Sequence, residues 1–494
     1  MTSAESVAEF AARARVWLAD NMSVIDPDSP PAAPRDDERS WQRARELQKR
    51  LYEGGFGGIC FPREYGGQGL DYKYQKAFDE ESLNYEMPLI LSIPTFTICC
   101  ATLLDTGTEE QKKQHIAAAL RGDEVLVQLL SEPSGGSDLA GVITRAERQG
   151  DRWVLNGAKT WSTSAFAADY GLCLARTTWD VPKHEGLTMF LVPIAHPGIT
   201  LRRITMLSGS TEFCEEFLDG VDVGDDAVVG EVNGGWAVAS RQLYHERRAV
   251  GQGSEFASGS GSEGGSTNPV DYVGLLEKTG QADNQRAQEL AGRVLVHREV
   301  AEQLIDHVYH SVRDGMLPPA AGTLIRLFHS ETTTLEMDTA LAIAGTAGVV
   351  GENGAGLEAG LRYLSRQNVA IGGGTTEMAR NVIGERVLNF PREYAADRGV
   401  PFNQVRHGQS SCRCPAYSFT KTFSASPLTN GIWISDKTWC AGLPGGAIST
   451  HSPPCLCARS RAAASALTPA DPRWVTPLRS IIKGAMPERL STAI

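Results

Sequence analysis

Apolar residues return at helical spacing over roughly the first 125 residues, alternate with polar ones from about 126 to 230, and return to helical spacing from 231 onward. "MTSAESVAEFAARARVWLAD" reads as an amphipathic helix. "DERSWQRARELQKRLYEGGF" places Trp41, Leu47 and Leu51 near one face before Gly54-Gly55 stops it. "FPREYGGQGLD" is rich in turn residues and predicts a loop. The uncharged run Met87 to Leu104 carries two prolines, Ser92 and three threonines, so it predicts a buried helix and not a membrane span.

In the alternating region, "DRWVLNGAKTW" sets Asn156-Gly157 between strand-like runs, a pattern that predicts a hairpin turn. "GLTMFLVPI", "GITLRRITML" and "STEFCEEFLDGVDV" predict further strands. Beyond 231, "GWAVASRQLYHERRAVGQ", "QRAQELAGRVLVHREVAEQLIDHVYHSV" and "LIRLFHSETTTLEMDTALAIAG" predict helices, with a Gly/Ser-rich flexible loop after the first. The fold class is therefore mainly α with an inserted β domain. Its parts are an N-terminal helical domain (1–125), a middle β domain (126–230) and a C-terminal helical domain (231–398), followed by an atypical stretch (399–494).

Charge sharpens that last boundary. Residues 401–494 carry a net +7 and the rest −19, giving −12 overall, and the same stretch holds five of the ten cysteines with little periodicity. Cys412-x-Cys414, Cys455-x-Cys457, His407 and His451 match no common zinc spacing, so the expectation is a disordered or out-of-frame extension and no metal site. The acidic balance argues against nucleic acid as a main partner. The irregular cysteines, with no signal-peptide pattern at the N-terminus, fit a cytoplasmic setting.

Two stretches carry candidate chemistry. "AIGGGTTEMARNVIGERVLNFPRE" runs three glycines and two threonines into a helix, where backbone can pass close to a ligand and free N–H groups face it. In "GWAVASRQLYHERRAV", Trp236, Ala239, Leu243, Glu246 and Val250 are spaced 3, 4, 3, 4, so Glu246 falls on the apolar stripe. A carboxylate there is either paired, with Arg241, Arg247 or Arg248 within reach, or functional, and desolvation raises its pKa as a general base requires.

Four motifs in order resemble the acyl-CoA dehydrogenase family over roughly residues 1–395. "FPREYGGQGL" resembles W-P-x-E-Y-G-G, with Phe61 for Trp. "TGTEEQKKQHIAAALRGDEVLVQLLSEPSGGSDLAG" resembles G-T-E-E-Q-K … S-E-P-x-x-G-S-D. "WVLNGAKTWSTSA" resembles N-G-x-K-x-W-I-T-N, and the glycine-rich stretch resembles G-G-T-S-E-I-Q-R-N. The resemblance implies a helical, β-barrel-like, helix-bundle order with FAD at domain and subunit interfaces, acyl-CoA as substrate and electron-transfer flavoprotein as acceptor. It assigns Gln128, Leu130, Ser131, Gly136 and Ser137 to the flavin or the pantetheine arm, Trp161 and Thr163 to the flavin ring, and Thr375 and Glu377 to the adenylate portion. Gly345 and Gly348 would reach the FAD of a neighbouring subunit, and Gly373 would pass the flavin and substrate.

Many members of the family place their base immediately before G-T, where this chain has Gly373. The resemblance then points to the second known placement, an E-R pair, here Glu246-Arg247, with Arg247 paired to the carboxylate or facing CoA. No R-x-x-F-G segment follows the Gly/Ser loop. These departures resemble the actinobacterial-type branch that includes two-subunit enzymes of steroid side-chain CoA thioesters, which implies a homo- or hetero-oligomer. Rival readings are a non-catalytic partner subunit and a flavin monooxygenase or nitroalkane oxidase on the same fold.

Overall fold

The computed structural model describes residues 5–26, 34–251, 254–259, 269–350 and 354–405. The Gly/Ser-rich segment 260–268 and the Cys-x-Cys pairs of the tail lie outside the described residues.

The N-terminal helices form where the apolar periodicity places them. They are α1 (Val7–Asn21), opened by a Ser6/Glu9 capping box, α2 (Glu38–Glu53) and α3 (Tyr72–Ser82). Trp41, Leu47 and Leu51 are buried. The run Leu89–Thr106 is helical apart from Ile93, whose backbone is extended. It is the one stretch among the described residues apolar and long enough to cross a membrane, and 67% of it is buried against protein. Cys99 and Cys100 lie in its fully buried core-facing part.

The middle domain is one sheet of eight strands. They are β1 (Leu126–Leu129), β2 (Arg145–Gln149), β3 (Arg152–Thr163), β4 (Tyr170–Arg176), β5 (Leu187–Pro193), β6 (Ile199–Ile204), β7 (Phe213–Gly224) and β8 (Val228–Val229). The order is β6-β7-β3-β2-β4-β5-β8, with β1 parallel to β4. Inward-facing Trp153, Leu155, Phe190, Val192 and Val221 fill its core.

The expected hairpin at Asn156-Gly157 is absent: both residues lie inside β3. The chain reverses instead at Gly150-Asp151, since Gln149 pairs with Arg152. At Gly157 the β3–β7 register shifts by a bulge. A Cβ there would stand 2.5–2.8 Å from Thr144, so the glycine serves close strand packing. Asn156 Oδ1 accepts from the Gly220 N–H at 2.8 Å, fixing the bend of the neighbouring strand.

Helices then return as Gly235–Gly251, which bears Glu246, Tyr272–Lys278, which the periodicity did not predict, Gln285–Arg313, Gly322–Ala344, Gly354–Ser365 and Thr376–Val382. Ordered packing continues past 399. The Phe402 N–H bonds the Val181 carbonyl at 2.8 Å, and the Phe402 ring lies 3.5 Å from the buried Arg176 guanidinium.

Candidate functional site

The helix Gly235–Gly251 starts hard against the sheet. A Cβ on Gly235 would stand 2.6 Å from the Thr188 backbone of β5, so only glycine lets the helix lie this close. Its inner face puts Val238 and Ala239 into the main core, with Trp236 and Leu243 half-buried against it. His245 is buried and bonds Asp105 Oδ2 through Nε2 at 2.7 Å, tying this helix to Leu89–Thr106. Arg241 shares Asp105, and Arg248 bonds Glu255. Two of the three arginines that could have neutralised Glu246 are thus engaged elsewhere.

Glu246 is half-buried by exposed area, but its carboxyl is enclosed closely enough that burial dominates its ionisation. Burial raises its pKa; the Gln128 amide, then the charges of Arg247 and Arg326, oppose the rise. Gln128, on β1, donates from Nε2 to Glu246 Oε2 at 3.1 Å. Arg247 is exposed and forms no direct ion pair among the described residues; burial and Arg386 lower its pKa while Glu246 raises it.

The glycine-rich stretch comes to the same place. Gly373 (φ +70°) and Gly374 (φ +92°) adopt left-handed backbone suited to glycine. A Cβ on Gly373 would lie 3.5 Å from Glu246 Oε1 and 3.5 Å from Arg326 Nε. Thr375 caps the following helix by accepting the Met378 N–H at 3.1 Å. Glu377 is exposed at the start of that helix, where backbone N–H donation holds its carboxyl below the usual range.

The periodicity gave no role to Arg326. It is buried on Gly322–Ala344, and its Nη2 donates to the carbonyls of Val369 (3.0 Å), Gly372 and Gly374 (3.2 Å). The one available signal was a cation inside the apolar run Leu324-Ile325-Arg326-Leu327-Phe328.

A second group surrounds the S-E-P-S-G-G-S-D loop. Lys159 Nζ bonds the Leu130 carbonyl at 3.0 Å and Glu132 Oε1 at 2.9 Å, with both side chains buried. Glu132 also accepts the N–H groups of Ile143 and Thr144 at 2.7 and 2.9 Å. The Thr160 N–H bonds the Ser131 carbonyl at 2.9 Å. The E of one motif and the K of the other are therefore an internal clamp that presents the loop. On the presented side, Gly136 and Ser137 are exposed, and the hydroxyls of Ser131, Ser137 and Thr163 have no protein partner among the described residues. Trp161 is 54% exposed and held at φ +64°, a conformation costly for a bulky residue. Free hydroxyls beside an exposed indole suit a flat ring with polar edges.

Gly345 and Gly348 stand apart. Gly345 caps the end of Gly322–Ala344, and Arg326 lies near its start, so about 28 Å of helix separates them at 1.5 Å per residue. A Cβ on Gly360 would meet the Gly348 carbonyl at 2.1 Å, so these glycines also allow close helix packing.

Three family models tile the chain in the order of these layers: the acyl-CoA dehydrogenase N-terminal domain over 23–123, the middle domain over 128–221 and the C-terminal domain over 233–388. Acyl-CoA dehydrogenase IpdE1 of Mycolicibacterium smegmatis is 32% identical over 404 residues, covering 78% of this chain and 98% of its own length. The chain belongs to the acyl-CoA dehydrogenase family.

Members of this flavin-dependent family are oxidoreductases acting on acyl-CoA. Among solved structures, the Tcur3481-Tcur3483 steroid ACAD is similar at 28% identity and TM-score 0.61, covering 78% of this chain and 98% of that chain. The ChsE4-ChsE5 complex from Mycobacterium tuberculosis is similar at 25% identity and TM-score 0.59, over 80% of this chain and all of that chain. Each of those two structures is named for a pair of components.

Proposed function

We propose that this acyl-CoA dehydrogenase removes the α- and β-hydrogens of an acyl-CoA thioester with FAD, and that Glu246 is the base. The observation that carries the reading is the convergence on one carboxylate of a helix, a strand and a glycine loop far apart in sequence, with no arginine paired to it directly. FAD would be held by the free hydroxyls of Ser131, Ser137 and Thr163, the Gly136 backbone and Trp161, with Thr375 and Glu377 toward its adenylate end. Bound FAD would supply the acceptor for the hydride leaving the β-carbon.

The remaining work falls to this chain. Glu246 Oε1, on the side of Gly373, takes the α-proton, while Oε2 stays bonded to Gln128 and the carboxylate cannot swing away. A glycine at 373 leaves room for the thioester where a side chain would crowd the carboxylate. Partial desolvation keeps Glu246 a stronger base than an exposed carboxylate. Exposed Arg247 would face the CoA phosphates.

The missing R-x-x-F-G segment and the two-component relatives support a hetero-oligomer in which another subunit, approached through Gly345 and Gly348, completes the FAD site. The steroid enzyme among the relatives supports a bulky acyl group. Electron-transfer flavoprotein would reoxidise the cofactor.

The test is anaerobic addition of acyl-CoA thioesters to the purified protein, alone and with a co-expressed partner subunit, following the visible flavin spectrum of wild type and Glu246→Gln. Bleaching of wild type, with the variant at least about a thousandfold slower, is expected for loss of a base. Equal bleaching assigns the base elsewhere. Activity of a two-subunit complex that survives Glu246→Gln makes this chain the non-catalytic partner.

A further inference from the structure

Arg326 combines three features that packing alone does not require. It is a buried cation with no carboxylate in hydrogen-bonding contact. One of its nitrogens meets three carbonyls, that of Val369 in the short helix Asn368–Ile371 and those of Gly372 and Gly374 in the loop that follows. Its Nε has no partner among the described residues and stands on the Glu246 side of Gly373. Because Nε and Glu246 Oε1 each lie 3.5 Å from the same point, they are at most about 7 Å apart.

We propose that Arg326 is a positioning residue for Glu246: its guanidinium ties the Gly372–Gly374 loop beside the carboxylate and sets a fixed positive charge against it. The proposal rests on Glu246 being the base. The Gly372 and Gly374 carbonyls draw the loop inward, so Gly373 and Gly374 hold their left-handed conformations without a side chain to anchor them. The unpaired Nε–H leaves part of the charge directed at the carboxylate, not quenched in a closed ion pair. A direct bidentate pair would occupy the oxygens that must take a proton; a loop-bound arginine one residue away stabilises the anion and leaves Oε1 open.

Arg247, on the same helix as Glu246, adds a second positive charge no weaker than that of Arg326, but from an exposed side chain that ties no loop. From β1 comes the neutral Gln128 amide, and from Leu89–Thr106 the Cys99 thiol, whose pKa burial holds far above neutrality. The glycine loop has no ionisable side chain. His329, one turn beyond Arg326, is kept neutral by burial and by Arg326 itself.

The experiment reads Glu246 directly. Infrared titration of the carboxyl band with carbon-labelled glutamate, taken as the difference between each protein and its Glu246→Gln counterpart, needs neither turnover nor cofactor. Arg326→Met is expected to move the Glu246 titration up by about 1–2 pH units, from a charge within about 7 Å at an effective dielectric near 20. Arg326→Lys, which keeps the charge, is expected to restore it to within about half a unit. In flavin bleaching, the acid limb of the pH–rate profile should move with the infrared value, slowing reduction at neutral pH by about tenfold or more in the Met variant. If Arg326→Met does not accumulate folded, Arg326→Gln, which keeps a donor without the charge, is expected to show the same upward shift. An unshifted Glu246 titration in whichever of these folds overturns the proposal, even if bleaching slows. Should Glu246→Gln bleach like wild type, the functional reading fails instead, and the infrared shift still decides whether Arg326 sets this carboxylate's charge.

Discussion

Replacing Lys159 with Met tests whether the clamp beneath the S-E-P-S-G-G-S-D loop is as costly to break as its burial implies. Lys159 and Glu132 are 0% and 2% exposed, joined at 2.9 Å, and Glu132 keeps two backbone N–H donors in either case. Removing the ammonium leaves a carboxylate in the sheet with those donors and no counter-charge, a situation that costs about 3–5 kcal/mol. The pH dependence follows from the same contacts. Burial acts to raise the pKa of Glu132, but Lys159 and the Thr144 and Ile143 N–H groups outweigh it and hold the carboxyl below its ordinary value. In wild type, the stability from this depressed pKa is present above the unfolded-state value and fades as pH falls. In Lys159→Met the main opposing charge is gone, the carboxyl titrates higher, and protonation relieves the buried anion. Urea unfolding should therefore show a loss of about 3–5 kcal/mol at pH 8 and a clearly smaller one at pH 5. Lys159→Met with Glu132→Gln should cost less than the two single changes added, because the pair is one unit. A loss under about 1 kcal/mol, or one equal at both pH values, would refute the argument that charge compensation holds the loop.

Two further changes separate structure from chemistry. Glu216 is fully buried on β7, with Oε2 accepting from Ser162 at 2.8 Å, and burial pushes its pKa up to about 8. Its raised pKa favours the folded state at low pH and loses that advantage as pH rises from the unfolded value toward 8. Melting-temperature curves of Glu216→Gln should thus lack a slope of up to ~1.4 kcal/mol per pH unit that wild type shows across that window; matching slopes would place the proton elsewhere. Trp161→Gly removes a left-handed tryptophan at no steric cost to the backbone, so thermal stability without cofactor should hold or rise by about 1 kcal/mol while FAD retention on dialysis falls. Undiminished retention would leave the exposed indole without a cofactor role.

How much of this was legible in the sequence depended on whether the signal was periodic. The burial of Trp41, Leu47 and Leu51 follows from spacing alone, as does the placing of Glu246 on an inward face between Leu243 and the core. Asn156-Gly157 misled because glycine has two uses. The turn rule reads its freedom in φ, but here the missing Cβ is what matters, and Thr144 lies thirteen residues away on the partner strand's approach. The His245–Asp105 contact spans 140 residues and left no local trace.

Arg326 marks the limit most clearly, because its partners are backbone carbonyls and no residue pattern encodes them. What the sequence did hold was a physical inconsistency, a cation flanked on both sides by apolar residues in "LIRLF". Such a residue must find acceptors within the fold, and here they are the carbonyls of Val369 and of the glycine loop. The same loop lacks the glutamate that many relatives carry before G-T. With no carboxylate of its own, the loop supplies acceptors for a buried charge and leaves an open space at Gly373. In the proposed mechanism the base, Glu246, comes from the adjacent helix and reaches that space from the side. A base at Glu246 would go with two other features of this chain: glycine at 373, which admits the carboxylate, and arginine at 326, which holds the loop and opposes the carboxylate's desolvation. A glutamate introduced at 373 would stand next to both, so Gly373→Glu should fail to act as a second base and instead raise the pKa of Glu246 by like-charge repulsion.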